Sequence, residues 1–205
     1  TPRSNPAVYI GAFDEIRQLF AQSAVATRRG LGASAFSFNS SEGQCERCRG
    51  AGFEKIEMQF LSDVFVRCPD CDGRRYRSHI LEVKLSPTRA GRAGLPKSGH
   101  SQKARAMSIA DVLDATVDEV IEFLSGFPES RCANRATSRL RLLQEAGLGY
   151  LSLGQPINTL SGGESQRLKL VSHVAEAEAG ANAEEGVQCP PTLVLLDEAR
   201  GGLDL

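Results

Sequence analysis

Four cysteines in this chain of 205 residues are spaced as the ligands of a metal ion. Cys45 and Cys48 form one C-x2-C pair, and Cys68 and Cys71 form a second pair after nineteen intervening residues. Two such pairs at this separation are typical of a tetrahedral Zn²⁺ site with four thiolate ligands. Because four thiolates close the coordination shell, the pattern predicts a structural ion that stabilises a hairpin rather than a catalytic one.

Glycines follow both pairs, at Gly50 and Gly52 after the first and at Gly73 after the second. Glycine allows the backbone to turn tightly, so that main-chain amides can point at the sulfur atoms. The alternative is four thiols without a metal, which is disfavoured because this spacing seldom arises by chance. The other two cysteines, Cys132 and Cys189, have no paired spacing, which favours metal binding in a reducing compartment over a disulfide framework.

Cationic side chains surround the cysteine pairs and, as a group, predict contacts with DNA phosphates. For any single cation, the alternative is that it only keeps a small domain in solution. The prediction covers seven cations that are expected to be exposed: Arg47, Arg49, Lys55, Arg67, Arg74, Arg75 and Arg77. Residues 84–110 carry six more cations and no acidic residue, and their Gly, Pro and Ser content predicts a loop over residues 86–106.

Residues 160–167 form a second group that could bind a ligand. They have the sequence Leu-Ser-Gly-Gly-Glu-Ser-Gln-Arg of an ATP-binding-cassette (ABC) signature. Ser161, Gly162 and Gly163 predict a turn at the start of a helix, where free amides and the helix dipole favour an anion. We therefore expect these three residues, together with Glu164, to bind nucleotide phosphate.

An apolar strand is predicted over residues 192–196, and it delivers Asp197 and Glu198 to its carboxyl end. Asp197 is expected to orient Mg²⁺, and Glu198 to polarise the water that attacks ATP, whereas the alternative for such a pair is a solvated turn. The sequence contains no Gly-x4-Gly-Lys-Ser/Thr phosphate loop. The chain by itself is therefore not expected to hydrolyse ATP.

Elements that would position these residues follow from local patterns. Helical periodicity predicts a helix over residues 12–29, and alternation predicts a short strand at 36–39 and a half-buried hairpin over 53–66. Thr116 and Glu119 form a capping box that starts a further helix, predicted to end at Leu124.

Two more helices are predicted in the second half of the chain. One runs from Arg135 to Ala146 and stops at Gly147, and the other begins at Gly162, with Leu168, Leu170, Val171 and Val174 on its apolar side. The acidic, alanine-rich stretch from residue 175 to 186 is predicted to be a linker.

Composition limits the class of protein. Apolar residues make up 41% and charged residues 24%, and the formal net charge is −1, so the chain is globular without a global preference for polyanions. No apolar run approaches the roughly 20 residues that cross a bilayer, so we expect a cytoplasmic protein without membrane partners. Because it lacks an initiator methionine and stops soon after a strand-like run, we expect a fragment of a longer protein.

The chain resembles UvrA, the DNA damage-recognition ATPase family of bacterial nucleotide excision repair. The combination of cysteine pairs and a downstream signature in one cassette is specific to this family. The similar stretches cover most of the chain outside two insertions, at 86–106 and 175–191. Besides the cysteine module, they are residues 1–7, 11–20, 36–39, 109–113, 147–150, 153–156, 160–167 and 192–198.

The resemblance implies an α/β fold, a partial ABC-ATPase domain of the P-loop NTPase type with an inserted α+β signature and zinc-finger subdomain. Residues 1–10 would end an upstream cassette segment, and residues 11–150 would form the insertion. The zinc module would occupy about 36–85 and the basic loop 86–106. Residues 151–205 would carry the signature helix and the Walker B strand.

The resemblance also implies a function. The complete protein would be a homodimer in which Ser161, Gly162 and Gly163 contact ATP held by the other cassette, while Asp197 and Glu198 serve their own site. Zn²⁺, ATP and Mg²⁺ are the implied cofactors. Damaged double-stranded DNA and a UvrB-like protein are the implied partners.

Two departures from the family pattern leave alternatives open. The family usually has Pro-Thr-Thr after the Asp-Glu pair, where this chain has residues 199–201 as Ala-Arg-Gly, and Asp204 stands where a histidine is common. A divergent member could serve drug resistance, or be a degenerate, non-catalytic cassette. From another class, Cys45-x2-Cys48-x-Gly50-x-Gly52 also resembles the zinc knuckles of DnaJ-type chaperones, which bind polypeptide.

Overall fold

A computed structural model of the chain describes residues 3–58, 63–87 and 106–183, with the backbone alone for 176–183. Several predictions lie outside these residues: most of the basic loop, the linker beyond residue 183, the strand at 192–196, and both Asp197 and Glu198. The structure is a mixture of helices and two small antiparallel sheets.

Three helices form the amino-terminal part: α1 (Pro6–Tyr9), α2 (Ala12–Ala21) and α3 (Ala24–Arg28). The prediction of one helix over 12–29 is wrong because the chain breaks between α2 and α3. The Ser23 hydroxyl accepts a hydrogen bond from the Ala26 amide at 3.2 Å, and this cap starts α3 where α2 ends.

Residues 36–39 are turns, so the predicted strand is wrong. Their backbone hydrogen bonds are local, as in the bond from the Phe36 amide to the Ala33 carbonyl, and the segment has no partner strand. The rings of Phe36 and Phe38 are nevertheless fully buried, and Phe38 lies 5.1 Å from the Phe13 ring. Alternating aromatics therefore mark two core contacts here rather than a pleated strand.

The predicted hairpin is confirmed as β1 (Phe53–Ile56) paired antiparallel with β2 (Val64–Arg67). The expectation that it is half-buried is wrong, because every residue of β2 is exposed and Phe65 is 57% exposed. A two-stranded ribbon has no second layer to cover it, so its apolar side chains face solvent.

After the second cysteine pair come α4 (Ser78–Leu81) and a second two-stranded sheet, in which β3 (Lys84–Leu85) pairs with β4 (Met107–Ser108). Helix α5 (Ile109–Asp114) follows β4 directly. Its capping box joins the Ser108 amide to the Asp111 carboxylate at 2.9 Å.

The helical core is built by α6 (Val117–Ser125) and α7 (Arg131–Glu145), with α7 also packed on α2. The predicted capping box of α6 is confirmed: the Thr116 amide donates to the Glu119 carboxylate at 2.9 Å.

Helix α7 begins four residues earlier than predicted, because the Ser130 hydroxyl accepts from the Ala133 amide and caps it there. Gly147 follows its end with a φ of +72°, the left-handed conformation that glycine favours, as predicted. Leu140 and Leu143 of α7 are fully buried in the core.

The last described element is α8 (Gly162–Ala183), preceded by a 3-10 turn (Ile157–Thr159). It begins at the predicted residue, and Leu168 and Val171 are buried, but Val174 is exposed. The predicted linker is helical up to Ala183, because alanine and glutamate are both favourable in a helix.

Candidate metal centre and nucleotide-binding turn

The sulfur atoms of the four paired cysteines lie together, all within 4.8 Å of one another. Cys45 Sγ is 3.9 Å from Cys68 Sγ, and Cys48 Sγ is 3.7 Å from Cys71 Sγ. Four sulfurs at about 2.3 Å from a tetrahedral ion would be about 3.8 Å apart. All four side chains are buried. The cluster therefore has the ligand set and the size that a tetrahedral metal ion requires.

The two C-x2-C knuckles have the same backbone conformation. In each, the residues one, two and four positions after the second cysteine have positive φ: Arg49, Gly50 and Gly52 in the first, and Asp72, Gly73 and Arg75 in the second. This conformation turns amides towards sulfur, as predicted, and the Gly52 amide donates to Cys48 Sγ at 3.3 Å.

Burial controls the proton affinity of the thiols. It raises the pKa of Cys48 and of Cys71 above the ordinary thiol value. At Cys68 burial acts in the same direction, but hydrogen bonds from the amides of Cys71 and Asp70 and from the neighbouring thiols outweigh it, and the pKa is lowered. A metal ion that binds here must therefore displace protons, which makes its affinity fall as the pH falls.

Arg75 does not lie with the exposed cations, and the expectation of exposure is wrong for it. Its side chain is buried, with the guanidinium 5.3 Å from the centre of the Phe38 ring and Nη2 donating to the Gly154 carbonyl at 3.1 Å. Its Nη1 is buried without a hydrogen-bond partner among the described residues. Burial lowers the pKa of Arg75.

Most of the other six cations are paired inside the chain. Four of them form ion pairs: Arg47 with Glu54 and Asp70, Lys55 with Glu57 and Asp63, Arg74 with Asp111, and Arg77 with Glu46. Arg49 and Arg67 are exposed and form no ion pair within the part of the chain that the structure describes. These two therefore offer the least neutralised positive charge near the cysteines.

The signature turn is on the surface and is capped by its own residues. The Ser161 amide donates to the Glu164 carboxylate at 2.7 Å, and the Glu164 amide donates to the Ser161 hydroxyl at 3.3 Å. Helix geometry leaves the amides of Gly162 and Gly163 without an intrahelical acceptor. Ser161 and Gly162 are exposed, so an anion can reach these amides.

Tyr150 contacts the signature turn from the preceding loop, because its hydroxyl donates to the Glu164 carboxylate. This hydrogen bond is the main reason that the pKa of Glu164 lies below its ordinary value. Arg167 holds the other side of the turn through the carbonyls of Gly163, at 3.4 Å, and Ala146, at 3.5 Å. The structure thus joins all four predicted nucleotide-binding residues into one turn anchored on the end of α7.

Sequence reasoning missed the positions of Tyr150 and Arg75. Comparing the two knuckles with each other could have identified Arg75, because it occupies the position that Gly52 occupies in the first knuckle. For Tyr150 the sequence contains no pattern that indicates its contact with Glu164. Among the described residues, no helix combines the length and the apolar character that crossing a bilayer requires.

Comparisons with known proteins agree on one family, although no family model matches the chain. The chain is 44% identical to UvrABC system protein A of Thermus thermophilus, and the match covers 99% of this chain and 18% of that protein. It is 43% identical to UvrABC system protein A of Clostridium perfringens over 100% of this chain and 18% of the relative. The chain thus spans about a fifth of the length of these relatives.

A solved structure gives the same result. The crystal structure of UvrA2 from Deinococcus radiodurans matches 86% of this chain and 19% of its own, with a TM-score of 0.68 and 42% sequence identity. Together with the clustered cysteines and the capped signature turn, this match confirms the predicted fold class, an α/β, partial domain of the ABC-ATPase type with an inserted cysteine module. Within that class, the chain belongs to the UvrA family. The DnaJ-like alternative has no support from these matches.

Proposed function

We propose that the chain is the signature-bearing part of a DNA damage-recognition ATPase of nucleotide excision repair. The observation that carries the proposal is the presence, in one UvrA-family chain, of four clustered thiols and an accessible Ser-Gly-Gly turn. The complete protein would act in the cytoplasm, as a homodimer, on damaged double-stranded DNA. It would pass that DNA to a UvrB-like partner.

The cysteine cluster would hold one structural Zn²⁺ through the thiolates of Cys45, Cys48, Cys68 and Cys71. The sulfur separations of 3.7 and 3.9 Å fit a tetrahedral ion, and the Gly52 amide is already directed at Cys48. Bound Zn²⁺ would supply folding free energy and no reaction chemistry, because four protein ligands leave no open position. What the chain contributes is the hairpin β1–β2 and the cations held next to it.

DNA contact would rest on Arg49 and Arg67, which have no ion pair among the described residues, more than on the paired Arg47, Lys55, Arg74 and Arg77. A phosphate must compete with a carboxylate for each paired cation, whereas an unpaired cation is available at once. Arg75 is buried and is not part of this surface.

The signature turn would bind ATP held by the other cassette of the dimer. The amides of Gly162 and Gly163 and the Ser161 hydroxyl would face the γ-phosphate, and the start of α8 would add its dipole. Ser161 and Gly162 are exposed, which such a contact in trans requires. In the adjacent site, Asp197 would orient Mg²⁺ and Glu198 would polarise the attacking water.

The decisive experiment measures ATP turnover by a two-cassette protein that carries this chain joined to a phosphate-loop segment, with and without damaged duplex. Glu198→Gln should slow hydrolysis at least about hundredfold and leave ATP binding unchanged, since the variant loses the group that polarises water. Glu145→Gln, which alters an exposed residue at the end of α7, serves as the control and should turn over normally.

Two outcomes would count against the proposal. Normal turnover by Glu198→Gln would remove Glu198 from the reaction. A parent protein that binds ATP and DNA but never hydrolyses ATP would identify a degenerate, non-catalytic cassette instead.

A further inference from the structure

Arg75 is the one residue of the second knuckle whose main chain contacts two cysteines of the cluster while its side chain contacts another part of the fold. We propose that Arg75 is a positioning residue that couples metal occupancy of the four-cysteine site to the placement of the signature turn. The proposal rests on the proposed function for the assignment of the cysteine cluster as a Zn²⁺ site and of the signature turn as a nucleotide-binding site. The physical coupling itself can be measured without ATP or DNA.

The main chain of Arg75 is bonded to both cysteine pairs. Its carbonyl accepts a hydrogen bond from the Cys45 amide at 2.8 Å, and its amide hydrogen-bonds to the Cys71 thiol. Any change in the spacing of the two pairs, such as the expansion expected when a tetrahedral ion leaves, therefore moves the Arg75 backbone.

The side chain of Arg75 connects the second knuckle to the loop at residues 152–156. The second knuckle and the loop at residues 152–156 face each other across a cleft of about 380 Å³, and Arg75 and Gly154 both line it. The 3.1 Å hydrogen bond from Arg75 Nη2 to the Gly154 carbonyl joins the two walls. Because the guanidinium is buried, stacked on Phe38, it has little freedom to find another acceptor.

Hydrogen bonds hold the segment that connects Gly154 to the signature turn. The Gly154 amide donates to the Leu113 carbonyl at 2.6 Å, and the Ile157 amide donates to the Ser4 carbonyl at 2.9 Å. The 3-10 turn then ends with the Leu160 amide bonded to the Ile157 carbonyl, directly before Ser161. The segment is thus held at Gly154 by Arg75 and Leu113 and at Ile157 by Ser4, so release of the Arg75 contact loosens the residues that lead into Ser161.

The presence of arginine rather than glycine at position 75 supports a positioning role for its side chain. The backbone at position 75 has a φ of +72°, and the equivalent position of the first knuckle is Gly52, with a φ of +79°. A left-handed conformation favours glycine, so the metal site alone would be served better by glycine at both positions. Arginine at position 75 is explained by the contacts that its side chain makes with the Phe38 ring and the Gly154 carbonyl, which glycine could not make.

The test is hydrogen–deuterium exchange of the full 205-residue chain, with Zn²⁺ bound and after chelation, read over residues 155–165. In the parent chain, chelation should speed exchange in this segment by about tenfold, the size expected for losing a hydrogen bond from a charged donor. In Arg75→Met, exchange should already be fast with Zn²⁺ bound, and chelation should add little.

Three controls separate coupling from damage to the fold. Arg28→Met removes an exposed cation at the end of α3, outside the cysteine module, and should behave like the parent chain. Arg75→Lys keeps a donor that can reach the Gly154 carbonyl and should restore part of the protection. Co²⁺ substitution should give the same thiolate charge-transfer spectrum in all these chains, because the ligand set is unchanged.

The outcomes distinguish this inference from the function it builds on. If the parent chain binds no Zn²⁺, the proposed metal site fails. If it binds Zn²⁺ but chelation leaves residues 155–165 unaffected, or if Arg75→Met responds to chelation as strongly as the parent does, the coupling is wrong and the metal site stands. If Arg75→Met does not fold, the comparison within the parent chain still tests the coupling, and Arg75→Lys tests whether the side chain at this position carries it.

Discussion

The two cysteine knuckles share one backbone and differ in how they are attached to the rest of the molecule. In the first knuckle, Gly50 lies so close to the Phe38 carbonyl that a Cβ there would be 1.7 Å from its oxygen. In the second, a Cβ at the equivalent Gly73 would make only ordinary van der Waals contacts, the nearest at 3.9 Å, and the side chains of Arg75 and Arg74 attach the knuckle to Gly154 and Asp111. The first knuckle therefore depends on a close backbone approach that only glycine allows, and the second depends on contacts of arginine side chains.

The strain in the Arg75 backbone can be compared with the two contacts that its side chain makes. A left-handed conformation at a residue other than glycine costs about 1–2 kcal/mol. A hydrogen bond from a charged donor contributes about 1.5–3 kcal/mol, and a cation over an aromatic ring adds about 0.5–2 kcal/mol. The contacts of Arg75 with Gly154 and Phe38 are therefore of the size needed to offset the cost of its backbone, while burial of Nη1 without a partner among the described residues adds a further cost.

The largest effect is expected where the two knuckles are alike. Cys45→Ser in the first or Cys68→Ser in the second should each abolish stoichiometric Zn²⁺ binding and unfold the module, because a three-thiolate site loses most of the metal's folding free energy. Metal analysis of the purified chains measures this. Cys132→Ser, which alters a buried cysteine outside the cluster, should keep one Zn²⁺ per chain. Full metal content in either ligand variant would refute the site.

An intermediate effect is expected from alanine substitutions that should destabilise the two knuckles to different extents. Gly50→Ala places a methyl group against the Phe38 carbonyl and should lower the free energy of unfolding by roughly 3 kcal/mol or more, since the backbone must move. Gly73→Ala has the same backbone strain, but its nearest new neighbour is 3.9 Å away, so it should cost only about 1 kcal/mol. Urea unfolding of the Zn²⁺-loaded variants gives both values. Equal losses would contradict the difference in attachment.

The smallest effect concerns the signature turn, which follows the loop that Arg75 of the second knuckle contacts. Tyr150→Phe removes the hydrogen bond that chiefly lowers the pKa of Glu164, so that pKa should rise towards its ordinary value. A lowered carboxyl pKa stabilises the fold above the unfolded value, and this contribution is lost as the pH falls through the folded value. An NMR titration of Glu164 measures the change, with Tyr9→Phe as the control. An unchanged titration would show that Tyr150 does not hold the carboxylate.

Local chemistry explains which features the sequence could predict. The two C-x2-C pairs, the capping box at Thr116 and the start of α8 at Gly162 each depend on residues a few positions apart, and the features they predict are present. The burial of Arg75 depends on an acceptor 79 residues away, which no local pattern indicates. The turn at residues 36–39 was missed because two buried rings two positions apart fit a strand as well as a turn.

The pairing of β3 with β4 fixes the two ends of the insertion at residues 86–106 side by side, with Lys84 opposite Ser108 and Leu85 opposite Met107. The number of residues between those ends therefore does not affect how the residues outside the insertion are paired and packed. Because the entropy of closing a loop grows only logarithmically, doubling its length would cost about 0.6 kcal/mol. Evolution can thus extend, shorten or replace this segment while the metal site and the signature turn keep their places.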